Sequence, residues 1–278
     1  MHLGTRFARF SPSLQSAEPL TDDQIRAVAP SIFGDNKHDS RSERYSYIPT
    51  SSVLDELRKE GFQPFMVCQT RVRNEDRREF TKHMIRLRHA GQIEAREANE
   101  IIVINSHDGT SSYQLMAGMY RFVCKNGLVC GNTVADLRIP HKGDIVSEVV
   151  QGAYDVLDGF DLVREVKEGL QGVTLDAGEQ QAFARAALAL RYEEREDGTA
   201  SAPITDTQLL TPRRTEDVAS DLWSTFNRAQ ENMIRGGLRG RNATGRRVST
   251  RPVQGIDQSI KLNRALWVLA EEMRKLKN

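Results

Sequence analysis

The chain contains no run of 18 or more apolar residues, so its sequence offers no membrane-spanning helix. Its opening, MHLGTRFARFSPSLQ, lacks the apolar core of a secretory signal, and a cytoplasmic setting is expected. Cysteine is scarce. Cys68, Cys124 and Cys130 are the three in 278 residues, which makes no disulfide framework, and the Cys124-to-Cys130 spacing is not that of a zinc knuckle. Each sits in apolar company and reads as a small buried hydrophobe. The GxxxxGKS/T loop, the GxGxxG turn, the GxSxG elbow and the HExxH helix are all missing, so no cofactor is expected and no catalytic residue is singled out. Neither sign of charge dominates. With 39 basic and 38 acidic residues the formal net charge is +1, and any basic surface has to arise by segregation along the chain.

What is present is a highly charged but core-forming sequence, 38% hydrophobic and 28% charged, long enough for one large domain or two modest ones. Its densest run of β-formers and turns is His107–Asp144, where Lys125-Asn126-Gly127 between apolar runs is a hairpin-turn signal. Strand-like segments also cover 65–73, 83–88 and 101–104. Their short connections, with no alternating helices, point to an antiparallel sheet. Glu94–Glu100 reads as a polar connection. From Asp144 the apolar period becomes helical, with Gly152 and Gly159 as candidate bends. Caps are expected at Thr21, Thr50–Ser52, Asp144, Thr215–Asp217 and Asp257. The last helix should bury Leu262, Leu266, Leu269, Met273 and Leu276. The fold class is therefore α+β: an antiparallel sheet in the first half, packed by helices, and a helical second half. Residues 1–192 are expected to form the core domain and 193–214 a linker. A helical region then fills 215–278.

The clearest charge segregation is the arginine- and glycine-rich loop 235–251, which holds Arg235, Arg239, Arg241, Arg246, Arg247 and Arg251, four glycines and no acidic residue. Guanidinium forks match phosphate oxygens, and glycines let a backbone come close to a phosphate. The same loop also reads as a solvated segment, or as one bonded to acidic groups of its own protein or a neighbour. A second basic surface is expected on the sheet. Arg71, Arg73, Arg86 and Arg88 would alternate toward one face, extended by Lys125, Arg138 and Lys142, with Tyr113 or Tyr120 nearby for stacking. Histidine–carboxylate pairs occur at His38-Asp39, His107-Asp108 and His141…Asp144, the residues on which a metal-dependent nuclease would have to be built.

Six blocks carry a resemblance: DSRSERYSYIPT (39–50), FQPFMVCQTRVR (62–73), NSHDGTSSYQ (105–114), CKNGLVCG (124–131), IPHKGD (139–144) and IKLNRALW (260–267). The chain resembles the plasmid- and prophage-borne family that includes the YfjQ, YafZ and YubP proteins. That family has no agreed activity and lends no catalytic residues. Its setting on mobile elements implies a DNA-related role by association. The expected function is sequence-independent binding of single-stranded DNA by a homo-oligomer larger than a dimer. Strand annealing would follow by analogy with Rad52-like proteins, and Trp223 and Trp267 would supply apolar contact area. The competing expectations are an accessory protein that meets a host defence protein directly, and the nuclease.

Overall fold

The computed structural model describes residues 12–34, 47–71, 75–92, 97–122, 126–130, 137–192, 201–242 and 244–277. The chain divides into two compact units. The first comprises residues 1–128 and 134–160, the second residues 129–133 and 161–278.

In the first unit, β1 (Ser13–Gln15), β2 (Phe62–Gln69), β3 (His83–His89), β4 (Glu97–Asn105), β5 (Tyr113–Arg121) and β6 (Asn126–Val129, all but its last residue in this unit) follow one another across a single sheet. A seventh strand, β7 (Leu137–Ile139), also pairs with β5. The pairings from β1 to β5, and that of β7, are antiparallel. The mixed α+β class with its antiparallel sheet is the one expected.

Among the described residues, three α-helices accompany the sheet. Thr21 caps α1 (Asp22–Val28) through a reciprocal box with Gln24. Asp144 caps α3 (Ile145–Asp158) by accepting from the Ser147 N–H at 3.3 Å. Between them in sequence lies α2 (Thr50–Lys59), which buries Val53, Leu54 and Leu57. Its N-cap is Pro49, which has no side-chain cap bond. The Thr50 hydroxyl, expected to cap the helix, is used elsewhere. Gly152 marks no bend; it lets α3 approach the sheet, because a Cβ there would meet Leu137 Cδ1 at 3.0 Å and Leu115 Cδ2 at 3.6 Å. Gly159 ends the helix.

One expectation for the sheet fails for an instructive reason. Gly127 lies inside β6, where its lack of a side chain makes room for a guanidinium: a Cβ would sit 1.9 Å from Arg86 Nη1. Gly118 on β5 serves the same side chain, since its Cβ would stand 2.8 Å from Arg86 Nη2. Residues 93–96 and 123–125 lie outside the described residues. Glu97 and Glu100, expected in a connection, belong to β4.

The second unit is built around α7 (Leu222–Arg235), which Asp221 caps through the Ser224 N–H and hydroxyl. The expected cap at Thr215–Asp217 is instead a separate 3₁₀ turn. Every residue of α7 from Leu222 to Met233 is buried. Around it pack α5 (Ala177–Ala189), α6 (Asp206–Leu209) and α8 (Ile256–Lys277). Burial on all sides forces α7's polar side chains to find partners. Gln230 donates to Asn263 Oδ1 on α8 at 2.7 Å, and Asn232 donates to the Leu209 and Thr211 carbonyls at 2.7 and 2.9 Å. Glu231 receives Arg214 and, at 2.7 Å, Arg235. On α8 the buried stripe runs through Leu262, Leu266, Trp267 and Ala270; Leu276 is exposed. Also in this unit are α4 (Phe160–Gln171), most of it from Asp161 onward, and a two-stranded sheet of β8 (Arg239–Arg241) and β9 (Arg247–Ser249).

Candidate nucleic-acid interface

The arginine loop is an ordered hairpin. Its register pairs Arg239 with Ser249, Gly240 with Val248, and Arg241 with Arg247. The turn is closed by Asn242, whose side-chain oxygen accepts from the Thr244 N–H at 3.1 Å, the Thr244 hydroxyl at 2.8 Å and the Arg246 N–H at 2.9 Å. Gly245 supplies the positive φ of 76° that this turn needs. Side chains alternate along a strand, so Gly240 and Val248 share one face, and Arg239, Arg241, Arg247 and Ser249 the other. The first pair is half-buried and the second set exposed.

The inner face presses on the chain at Pro203. A Cβ on Gly240 would lie 1.8 Å from the Pro203 carbonyl oxygen, and that oxygen accepts from the Arg241 N–H at 2.8 Å. Gln208 Nε2 donates to the Arg239 carbonyl at 2.9 Å. Segment 201–214, expected to be part of a linker, thus forms a wall beside β8; residues 193–200 lie outside the described residues. An open groove of about 830 Å³ is lined by Thr205, Gln208, Arg239, Arg241, Arg247 and Ser249, with Pro203, Gly240 and Val248 also at its surface.

Two further arginines secure the base of the hairpin. Arg191 donates to the Met233 carbonyl at the end of α7 and to the Arg251 carbonyl where the hairpin leaves. Arg213 donates to Asn232 Oδ1 at 2.6 Å and to the Gly236 carbonyl. Gly236, at φ 62°, sits where a Cβ would be 2.6 Å from the Arg251 carbonyl carbon. The sequence reading missed Thr205, Gln208, Arg191 and Arg213. A signal did exist for two of them, since Thr205-Asp-Thr-Gln208 is the spacing of a capping box, and the box is formed.

The expected basic face of the sheet is placed otherwise. Arg86 and Arg88 are 8% and 1% exposed, and both serve the fully buried Glu100, with Nε–carboxylate distances of 2.6 and 2.8 Å. The Arg88 guanidinium lies 4.3 Å from the Phe65 ring centre and 4.1 Å from that of Tyr120, and Arg86 also donates to the Leu128 carbonyl. Charges committed in this way do not face solvent. Arg71, Arg138 and Lys142 are exposed on the first unit; Arg73 and Lys125 lie outside the described residues. On the second unit Arg235, Arg239, Arg241, Arg246, Arg247 and Arg251 are all exposed, Arg235 while paired to Glu231.

His83 and His107 belong to a buried polar cluster. Register aligns Gln69 with His83 and His83 with Asn105 across β2, β3 and β4, at the end of the sheet. The Thr50 hydroxyl, at the start of α2, is their hub. It lies 2.9 Å from His83 Nε2, 3.0 Å from Asn105 Nδ2, 3.3 Å from the Tyr113 hydroxyl and 3.4 Å from His107 Nε2. His83 Nδ1 stands 2.8 Å from the Ser31 hydroxyl and 3.2 Å from the Thr81 carbonyl. Burial lowers the His83 pKa far below the usual imidazole value, helped by His107. Burial and the neighbouring His141 bring His107 down to about 4. His141 is also lowered by burial. His83 and His107 are enclosed imidazoles, held toward the neutral form, that tie α2 to the sheet through Thr50.

Among the described residues no three histidine, cysteine, aspartate or glutamate side chains stand close enough to hold a metal ion. His38 and Asp39 lie outside them. Asp108 bonds to Thr110, and Asp144 caps α3. The tryptophans, expected to offer contact area to other protomers, are buried in their own unit, Trp223 edge-on to Trp267 at 6.3 Å.

Fold and site together define a two-unit α+β protein whose second unit carries an arginine-faced hairpin beside a groove. Residues 37–267 match the family described as Domain of unknown function (DUF932), and the chain belongs to that family. It is 56% identical over 255 residues to the UPF0380 protein YafZ of Escherichia coli (strain K12), an alignment covering 92% of each chain. The UPF0380 protein YfjQ of the same strain matches with the same identity and coverage. The kinship expected from the six sequence blocks is thereby established. No solved structure matches the chain. No helix among the described residues is long and apolar enough to cross a membrane.

Proposed function

We propose that this protein binds single-stranded DNA, without regard to sequence, through the outward face of the hairpin in its second unit. One observation carries the reading: Arg239, Arg241 and Arg247 project from one face of an anchored hairpin, Arg246 stands at its turn, and residues 235–251 include no acidic side chain. Guanidinium groups on an ordered frame bind phosphate with less loss of freedom than the same groups on a loose tether. The setting this reading fits is the cytoplasm of a host carrying a plasmid or prophage, and the activity it would serve is strand annealing by a homo-oligomer.

The test is a salt titration of labelled oligo-dT binding for the parent and for a variant with Arg239, Arg241, Arg246 and Arg247 all replaced by alanine. Each phosphate contact to a single strand contributes roughly −0.7 to the slope of log K against log salt, so the variant's slope should be shallower by up to about 3. It should stay folded, since all four side chains are exposed. Equal affinity and slope for the two proteins would remove the hairpin as the contact. Cleavage of the strand in Mg²⁺ or Mn²⁺ would support the nuclease instead. A parent that leaves DNA unbound would favour a role by protein contact.

A further inference from the structure

The hairpin has two edges, and the chain covers one of them. Along β8 the outward backbone groups are taken: the Arg241 N–H donates to the Pro203 carbonyl at 2.8 Å, and the Arg239 carbonyl accepts from Gln208 Nε2 at 2.9 Å. These two bonds also fix the phase of the ladder. In an antiparallel pair, residues that bond to the partner strand alternate with residues whose N–H and C=O point away from it. Arg239 and Arg241 point away, so their cross-strand partners Ser249 and Arg247 do too, toward the far side of β9. The flanking bonds agree. The Asn242 N–H reaches the Arg246 carbonyl at 3.0 Å and the Thr250 N–H the Leu238 carbonyl at 2.8 Å, both across the hairpin. Among the described residues, nothing outside the hairpin bonds to the backbone N–H or carbonyl of Arg247 or Ser249, and both residues are exposed. This open edge is short. The turn at Asn242 ends it on one side, and on the other Arg191 occupies the Arg251 carbonyl.

We propose that the free edge of β9 is a docking site for an extended segment of a partner protein, one that carries carboxylates at alternate positions and adds as a third strand. The inference goes beyond DNA binding and does not depend on it, because it uses the backbone edge of the hairpin. Backbone chemistry selects a polypeptide. Arg247 and Ser249 each offer an N–H donor and a carbonyl acceptor along the edge. A phosphodiester chain has acceptors only and would leave both carbonyls bare, whereas a peptide strand supplies both kinds of group at the spacing of a sheet. Charge then selects the peptide. Arg246, Arg247 and Arg251 lie on or beside the edge, and residues 235–251 hold no acidic side chain. Side chains directly opposite one another on paired strands share a face. Peptide residues opposite Arg247 and Ser249 therefore meet the arginine face, where a carboxylate is favoured, and those between them fall on the side of Val248. A second copy of the hairpin would match the hydrogen bonds but bring a second set of arginines, and like charges across a pairing disfavour it. A short edge bearing cations resists neutral and basic strands in the same way, which restricts this one to acidic strands.

Fluorescence anisotropy on the full chain tests this with three labelled probes at one salt concentration. They are a peptide of alternating glutamate and threonine, the same peptide methylated on each glutamate backbone nitrogen, and oligo-dT. The two peptides carry equal charge, but only the first can donate its glutamate N–H groups to β9. It should bind the parent about tenfold or more tightly than its methylated form, since each hydrogen bond lost is worth roughly two- to tenfold in affinity. Ser249→Pro removes one outward N–H and no charge, at an edge position where proline is tolerated. It should weaken the unmodified peptide roughly two- to tenfold and the methylated one little. Arg246→Gln with Arg247→Gln should weaken both peptides. Amide exchange at Arg247 and Ser249 in the parent should slow when the unmodified peptide is bound, a readout that needs no variant. If the two peptides bind the parent alike, if neither binds, or if those amides exchange as before, the edge is not a docking site and the proposal falls, whatever oligo-dT does. If the peptides behave as expected while oligo-dT stays unbound, the docking site stands and the DNA reading falls.

Discussion

Replacing Glu100 by glutamine removes one negative charge from the middle of a sheet and changes almost no volume. The structure sets the cost high. The carboxylate is fully buried and is the shared counter-ion of Arg86 and Arg88, whose side chains are 9% and 1% exposed. Two guanidinium groups would then sit without an anion where water cannot reach them. Removing one partner of a buried ion pair costs about 3–5 kcal/mol, and here one anion serves two cations, which argues for the upper end. The ring faces of Phe65 and Tyr120 and the Leu128 carbonyl soften the loss, but they are already engaged. For a domain of roughly 150 residues, 1 kcal/mol moves Tm by about 2–4 °C, so Glu100→Gln should lower the melting of the first unit by about 6–20 °C. Calorimetry of parent and variant reads this directly. The shift should persist at high salt, because buried pairs are poorly screened. A triple variant, Arg86→Met, Arg88→Met and Glu100→Leu, should recover most of the loss, since apolar replacements often match a buried ionic group. A drop below about 2 °C in Glu100→Gln would refute the reasoning, because it would mean the two arginines do not depend on that carboxylate.

Three further outcomes are expected. His83, His107 and His141 all have lowered pKa values in the fold, so their neutral forms favour folding above the unfolded value near 6.5 and that advantage is lost as the pH falls. For His107 the window runs from 6.5 to about 4 and is worth on the order of 3 kcal/mol at neutral pH; a urea midpoint unchanged between pH 7 and pH 5 would contradict it. Arg213→Met removes charge-assisted bonds to Asn232 and Gly236, each worth about 1.5–3 kcal/mol, and should speed amide exchange at Gly237 and Thr250 before it disturbs the first unit. Burial pushes the Cys68 thiol up to about 12, so native protein at pH 8 should leave it unalkylated by iodoacetamide, with rapid labelling in urea, as read by peptide mass spectrometry.

The sheet and the helical second half were legible because period carries them. Ile101–Ile104 and Val149–Val156 can satisfy their apolar side chains in one kind of element only. The arginine hairpin was visible as composition, although its order was not. The features that fix it, a Pro203 carbonyl and Arg191 and Arg213 from distant positions, leave no local mark. Arg86 and Arg88 were misplaced because alternation assigns a side chain to a face and says nothing of what covers that face. Here Gly118 and Gly127 open the space and Glu100 supplies the charge, a fit that exists only once β3, β4, β5 and β6 are paired. Thr50 misled for a related reason. A hydroxyl before a helix usually caps it, and only the assembled row of Gln69, His83 and Asn105 gives this one a better use.

The burial of α7 on every side carries a consequence for how the second unit comes apart. An amphipathic helix can dock by its apolar face and leave the other in water while the remainder of a domain assembles. A helix whose Gln230, Glu231 and Asn232 need separate partners on α8, at Arg214 and in the Leu209–Thr211 segment has no face to leave in water. Losing any one neighbour strands a polar group in the interior, so partial forms of this unit are penalised and its opening should be concerted. Proteases would then find it either intact or wholly open, with few stable fragments in between.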